Sequence, residues 1–529
     1  MFVREKTAPS GDKTYRYLQL VENERVDGKV KQKVILSLGR KDQLDRDRVD
    51  EVVGALKDYT QKAQVLESVE GIEPKQAKNL GDVTVLTRLW EEVGLDSVIR
   101  KALRGREYQF DVEAALKGVV FNRLIAPGSE LSVKKWLDGD VYFPEGDGLQ
   151  LHHLYRSLDF LVEEKETIET GLFNKLLDLF SMSLDVVFYD TSLVSYQGEG
   201  EGNGLIQYSR KKEKQFLVGL MLSRDGFPFA HQVLPGNTAD VSTVEEVADR
   251  LSERFSIGRC LFVADRGMIS KSNLDYLEDQ GRDYVVGVPA RKYKKVRNVV
   301  LSTKGRYHPI KDNLRVKETT VDGKRYIICH NPKEAERAQA TRTDIVEELE
   351  EEIDGLNPET KKAHKLLSHS TKSKYLRQLK DGTLKIDRGR IREEARFDGK
   401  YVLVTNEEQL TSHELATTYR ELKRIESSFR SMKSLEELTP VYHRTPKRIR
   451  GHVFVCVLAH LLERALEKRL GEEGLELTPA KAIRQLSRMK AVRMEVNGKP
   501  YLFRTEGSEE ANQVFQALHM RPPARVREL

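Results

Sequence analysis

Hydrophobic and polar positions change rhythm repeatedly along this chain. Residues 14–39, TYRYLQLVENERVDGKVKQKVILSLG, alternate apolar and polar around Asp27-Gly28. Period-two alternation marks a strand and Asp-Gly is a favoured tight-turn pair, so a hairpin is expected. From about 75 to 180 the spacing becomes helical in VTVLTRLWEEVGL, FDVEAALKGVVFNRLI and GLFNKLLDLFSM, with Pro127-Gly128 breaking the middle helix from the next segment.

The pattern then turns to strands. LDVVFYD (184–190) is β-branched and aromatic, and QFLVGLMLSRDGFPFAHQVL (215–234) reads as two strands joined around Asp225-Gly226. A helix is expected at about 241–255, a strand at RCLFVAD (259–265), a helix near 270–280 and a strand at DYVVGVP (283–289). A hairpin followed by strand–helix alternation predicts an α/β fold, a mixed sheet with helices packed on it.

After Pro289 the rhythm stops for roughly a hundred residues. A hairpin is expected around Asp322-Gly323. Asn331-Pro332 suits the start of a charged helix that stops at Gly355, and residues 358–380 read as partly helical. ARFDGKYVLVTN (395–406) returns to strand, and Thr411 and Glu414 have capping-box spacing for the next helix. The resulting segments are a hairpin region (1–70), a helical region for DNA binding or dimerisation (71–180), a first core part (181–290), an insertion (291–400), a second core part (401–470) and a C-terminal region (471–529). The last nine residues, RPPARVREL, read as a flexible tail.

Composition narrows the class. The net charge of +6 is small against 89 basic and 83 acidic side chains, so any partner must be argued from local charge. None of the three cysteines belongs to a C-x-x-C pair, so neither a structural zinc site nor a disulfide framework is expected, which fits a reducing cytosol. The N-terminus has no apolar signal core. The longest apolar run, VFVCVLAHLL (453–462), is too short to span a bilayer and reads as a buried helix, so no membrane partner is expected.

Within YRELKRIESSFRSMK (419–433), Leu415, Tyr419, Leu422 and Phe429 form one apolar helical stripe, and Glu426 falls on it. A surface ion pair with Arg430, four residues on, would make this carboxylate tolerable. Asp190 and Asp265 each end an apolar strand, where functional groups gather in open α/β sheets, although a single such Asp more often caps a turn. Three carboxylates brought together resist joint ionisation. A divalent cation would relieve that repulsion, and oxygen-only ligands favour Mg²⁺ or Mn²⁺.

At these residues the chain resembles the DDE transposases of bacterial insertion sequences, and the cut-and-paste group with a Tyr–Arg–Glu–Lys signature in particular. Tyr419, Glu426 and Lys433 stand at the signature spacing, with Leu422 at the Arg position and Lys423 where Trp often follows. FYDTS resembles the first-Asp motif, VADRG the second, LPGNTAD (234–240) the segment between them, and DGKYVLVTN (398–406) the strand before the Glu helix. YHRTPKRIRGHVFVCVLAHLL (442–462) is similar to the segment that follows that helix.

The resemblance implies an RNase H-like core with a β-rich insertion before the Glu helix. It makes Asp190, Asp265 and Glu426 a catalytic, metal-binding triad for two Mg²⁺ ions, with Mn²⁺ able to substitute. It places Tyr419 and Lys433 on DNA phosphate near the cut, with Lys423 and Arg430 beside them. The partners it implies are double-stranded DNA, as element ends and target, and a second copy of the chain, in a bacterial cytosol. Three basic segments are candidate phosphate tracks, although each alone more often marks a solvated surface: SRKKEK with Arg210, Lys211 and Lys212; RKYKKVRN; and HRTPKRIR with Arg448 and Arg450. The alternatives are a related nuclease without strand transfer and an inactive DNA-binding derivative.

Overall fold

Local turn and cap chemistry sets most of the elements. The computed structural model describes residues 2–10, 13–26, 29–44, 72–180, 185–199, 202–209, 212–255, 257, 260–268, 270–311, 313–354, 356–357, 360–434, 436–496 and 499–529. They divide into two compact units: residues 1–77 with 491–504 and 524–529, and residues 78–490 with 505–523.

The first unit holds two sheets. Strands β1 (Phe2–Ser10), β2 (Lys13–Val26) and β3 (Lys29–Arg40) form an antiparallel sheet in chain order. The expected hairpin is β2–β3, whose Asp27-Gly28 turn and the following residues 45–71 lie outside the described residues; β1 is an additional strand. Strand β4 (Ile72–Asn79) opens the segment expected to be helical.

The second unit begins with helices α1 (Gly81–Glu92), α2 (Leu95–Ala102), α3 (Val112–Ile125), α4 (Glu130–Gly139), α5 (Leu151–Glu163) and α6 (Lys165–Phe180). Asp111 and Ser129 cap α3 and α4 through their side-chain oxygens, as short polar residues at helix starts do.

The core sheet follows: β5 (Val186–Ser195), β6 (Gln207–Tyr208), β7 (Lys214–Ser223), β8 (Pro228–Pro235), helix α7 (Val244–Glu253), β9 (Leu261–Ala264), helix α8 (Lys271–Asp279) and β10 (Asp283–Val288). Strands β8, β7 and β5 are antiparallel neighbours, and β5, β9 and β10 run parallel. Three antiparallel strands continued by two parallel ones, with helices on both faces, is an RNase H-like core. The β7–β8 turn lies at the expected Asp225-Gly226, where Gly226 takes φ +84°, a conformation open to glycine.

The insertion is less separate than its sequence suggests. It contributes α9 (Lys294–Asn298), β11 (His308–Lys311), β12 (Leu314–Val321), β13 (Lys324–His330), α10 (Pro332–Ile353), α11 (Lys361–Ser368), β14 (Leu376–Gln378), β15 (Leu384–Ile386) and α12 (Arg388–Ala395). Strand β16 (Lys400–Thr405) pairs antiparallel with β10 on one side and with β13 on the other. One continuous sheet therefore runs from β11 through β12, β13, β16, β10, β9 and β5 to β7. The rest of the insertion closes a small core of its own around Leu349, Leu366, Tyr375 and Leu376. Asn331 caps α10 through its side chain, as expected; Gly355 lies outside the described residues.

The Glu-bearing helix is two helices. Thr411 and Glu414 form the expected capping box at α13 (Ser412–Glu421), and α14 (Lys423–Ser434) follows Leu422. Leu422 N–H donates to the Tyr419 carbonyl and Ile425 N–H to the Leu422 carbonyl, three-residue bonds that tighten the chain between the two helices. The buried face of α14 is Ile425, Ser428, Phe429 and Met432, so the expected Phe429 is on it, whereas Glu426 is exposed and off it.

Helix α15 (Pro446–Glu472) holds the long apolar run and is buried almost all round from Ile449 to Leu462, the pattern of a helix inside a core. No helix among the described residues is long and apolar enough to cross a membrane. After α16 (Pro479–Leu486), strands β17 (Lys490–Val496) and β18 (Lys499–Arg504) form a hairpin; helix α17 (Glu509–Ala517) follows. The C-terminal segment is not a free tail: β19 (Val526–Glu528) pairs with β18 in a sheet ordered β19-β18-β17-β4.

Candidate active site

Strand register brings the two aspartates together. Tyr189 of β5 is level with Ala264 of β9, so Asp190 and Asp265 stand one step further along adjacent parallel strands. Such strands are about 4.8 Å apart, and equivalent steps point to the same face. That face carries Val186, Phe188, Val263 and Val285 and packs against α15 and α14; the opposite face carries Tyr189, Phe262 and Ala264 and packs against α7 and α8. Glu426 lies in the first turn of α14, beside β5.

Electrostatics ties the three together. Burial pushes the Asp190 carboxyl up to about 7, and the charges of Asp265, Asp240 and Glu426 push the same way, against a bond from the Thr191 backbone N–H at 2.8 Å. Three chain segments far apart in sequence thus concentrate negative charge on one half-buried group.

Asp240 is the carboxylate that sequence reading missed. It accepts a 2.7 Å hydrogen bond from Thr191 Oγ1, next to Asp190, and packs against Gly267, two residues beyond Asp265. Its signal was in the chain: it closes the LPGNTAD segment.

The other candidates divide. Tyr419 Oη donates to Asp265 Oδ1 at 3.0 Å, so it is positioned on a site carboxylate. Lys433 Nζ donates to Ser192 Oγ and to the Leu193 carbonyl, both at 2.7 Å, pinning α14 to the end of β5. Lys423, Arg430 and Lys212 are exposed, and Arg450 is half-buried at the start of α15. Among the described residues no ion pair joins Glu426 to Arg430. Arg448 is already engaged, in a two-pronged bond to Asp159 at 2.6 and 2.8 Å with its guanidinium over the Tyr155 ring. Arg210 and Lys211 lie outside the described residues.

A cluster of oxygen ligands with excess negative charge fits hard divalent cations such as Mg²⁺ or Mn²⁺. Asp190, Asp265 and Glu426 are the residues that could hold such ions, with Asp240 beside them, although one ligand atom from each of the three does not fall within 4.8 Å of the other two.

Two family models match the chain. The transposase DDE domain covers residues 182–462, more than half of it, and the N-terminal domain of IS1634 family transposases covers residues 3–68. No curated protein matches. Among solved structures the chain is similar to a piggyBac transposase synaptic complex with hairpin DNA, at 10% identity over 78% of this chain and 80% of that one, with a TM-score of 0.37. It is also similar to a Mos1 transposase paired-end complex with left transposon end, at 9% identity over 34% and 60% of the chains, with a TM-score of 0.15. The first-Asp, second-Asp and Glu segments all fall inside the 182–462 match, and the chain belongs to the DDE-domain transposase family.

Proposed function

We propose that this transposase binds the terminal inverted repeats of its own insertion sequence, cleaves DNA there and joins the freed 3′-hydroxyl to target DNA. The observations that support the reading are the strand register that sets Asp190 beside Asp265 and the charges of Asp265, Asp240 and Glu426, which with burial raise Asp190 to about 7. Two divalent ions held by these carboxylates would supply an activated attacking oxygen and a stabilised leaving 3′-oxygen.

The chain's own residues set the geometry. The Thr191 N–H orients Asp190, the Tyr419 hydroxyl orients Asp265, and Lys433 fixes α14, the helix that carries Glu426, against β5. Lys423, Arg430, Lys212 and Arg450 are the cations left to track phosphates, whereas Arg448 supports the fold. Two DNA ends must be held together, so the active complex is a homodimer. Its place is the bacterial cytosol.

The test is an assay of purified protein with DNA carrying the element ends, in Mg²⁺ or Mn²⁺. Cleavage and strand joining are expected, and Asp190→Ala should lower cleavage by at least about a thousandfold while end binding stays within about threefold. Cleavage without joining would reduce the protein to a nuclease. Binding without nicking would make it an inactive derivative, and cleavage surviving in Asp190→Ala would remove the triad.

A further inference from the structure

A second constellation of ligand atoms lies away from these aspartates. Helix α15 presents His460 and Glu463, three residues apart on one face, to Glu436 in the turn after α14. His460 Nδ1 is 3.2 Å from Glu436 Oε1 and 3.0 Å from Glu463 Oε2. One ligand atom from each of the three residues lies within 4.8 Å of the others. Glu436 is fully buried and His460 is 3% exposed.

Hydrogen bonding leaves two atoms of this cluster without partners. One ring nitrogen faces two carboxylate oxygens with a single proton to offer. Glu436 Oε2 and His460 Nε2 are buried without any hydrogen-bond partner. Two buried carboxylates facing one another need positive charge or a shared proton between them, and against burial Glu436 and Glu463 push His460 up to about 9. An ion bound at His460 Nδ1 and the facing carboxylate oxygens would supply that positive charge in a proton's place. With metal–ligand bonds of about 2.0–2.2 Å, ligand atoms stand about 2.8–3.1 Å apart in an octahedral site and about 3.3–3.6 Å apart in a tetrahedral one, a span that takes in the two nitrogen–oxygen distances.

The other buried histidine cluster is different. His452 has both ring nitrogens engaged, with Arg123 Nη2 and the Leu438 carbonyl at 3.3 Å each, so it has no ligand atom to give.

We propose that Glu436, His460 and Glu463 form a binding site for a divalent transition-metal ion of the Zn²⁺ or Mn²⁺ kind. Two carboxylates and one neutral imidazole balance its charge, and the mixed oxygen–nitrogen set favours these ions over Mg²⁺. The site uses no thiolate, so the lack of paired cysteines does not bear on it. Remaining coordination positions open to a cleft of about 660 Å³ that His460, Glu463 and Ser431 help to line, giving the ion an entry path. Ser431 of α14 donates to Glu463 Oε2 at 2.6 Å, so a bound ion braces the helix that carries Glu426.

The test separates this site from the triad by using full-length Asp190→Asn/Asp265→Asn protein, dialysed against chelator and then titrated with ZnCl₂ or MnCl₂. One tightly held ion per chain and a rise of several degrees in unfolding temperature are expected. Adding His460→Gln should weaken binding by at least about tenfold. Should that variant fail to fold, Glu463→Gln in the same background is read instead, with the same loss expected. Failure of the triad variant to hold either ion below about 100 µM, with its fold intact by circular dichroism, would overturn the proposal. So would binding unchanged in both ligand variants.

Discussion

The Tyr419 hydroxyl donates to the Asp265 carboxylate across 3.0 Å, from a helix begun 147 residues further along the chain (412 against 265). Gly287 in β10 makes room for it: a methyl group at that position would collide with the Tyr419 hydroxyl. Tyr419→Phe should keep the fold and lower cleavage about tenfold, the scale of one lost hydrogen bond to a charged group. Gly287→Ala should lower cleavage at least as far by displacing the ring. Combined with Tyr419→Phe it should cost less than the sum, because the colliding oxygen is gone. Single-turnover cleavage rates of the three variants check this.

Asp240 adds negative charge beside Asp190 without standing in the triad. Asp240→Asn should raise the Mn²⁺ concentration for half-maximal cleavage several-fold, while the rate at saturating metal stays within about threefold. A metal titration of the cleavage rate reads both numbers, and a lost plateau with unchanged midpoint would place Asp240 among the reacting groups.

Buried charge away from the site sets the acid limit of stability. Glu169 accepts from the His231 backbone N–H at 3.0 Å and from Lys165 Nζ at 2.7 Å, with His231 Nδ1 and Arg254 Nη1 each 2.8 Å from its oxygens. Burial, with Lys165 and Arg254 beside it, pushes His231 down to about 4, against the pull of Glu169. Burial would raise the Glu169 carboxyl, but Lys165, His231 and Arg254 more than offset it and hold it below the ordinary range. A histidine depressed in the fold binds its proton more readily when unfolded, so its stabilisation is complete above about 6.5 and falls away towards pH 4. Loss of the Glu169 ion pairs follows at lower pH. The unfolding temperature should therefore drop between pH 7 and 4.5, and His231→Gln should flatten that drop while lowering stability at pH 7.

Turn chemistry, caps and apolar strand ends were legible in the chain because they are local. Asp225-Gly226, Asn331, the Thr411–Glu414 box and the strand-end position of Asp265 all rest on neighbours within a few residues; Asp190 ends the apolar run but not the strand, because β7 pairs with β5 as far as Ser195. What the chain concealed is set by pairing at long range. β1 is too charged to read as a strand and is held by its neighbour β2; β19 exists because β18 offers it an edge. The tight step at Leu422 depends on what α13 and α14 each pack against. Arg448 looks like part of a basic track until Asp159, 289 residues away, claims it.

That claim is testable by salt dependence. Arg448→Gln should destabilise the fold by about 1–2 kcal/mol, as loss of a half-buried two-pronged pair would. It should leave the slope of DNA affinity against salt unchanged. Arg450→Gln should reduce that slope by about one with little effect on stability. Affinities measured from 50 to 200 mM salt distinguish them.

The unbroken ladder from β10 through β16 into β13 bears on how this protein can be cut down. A version lacking residues 291–399 would look like a tidy minimal core on paper. It would instead leave β16, with Val402, Leu403 and Val404 all buried in the intact sheet, as a raw margin with one row of backbone donors and acceptors unpaired. Such margins recruit strands from other molecules. Trimming the insertion should therefore yield insoluble material before it reveals anything about DNA, and smaller versions should keep β12 and β13 as a permanent border.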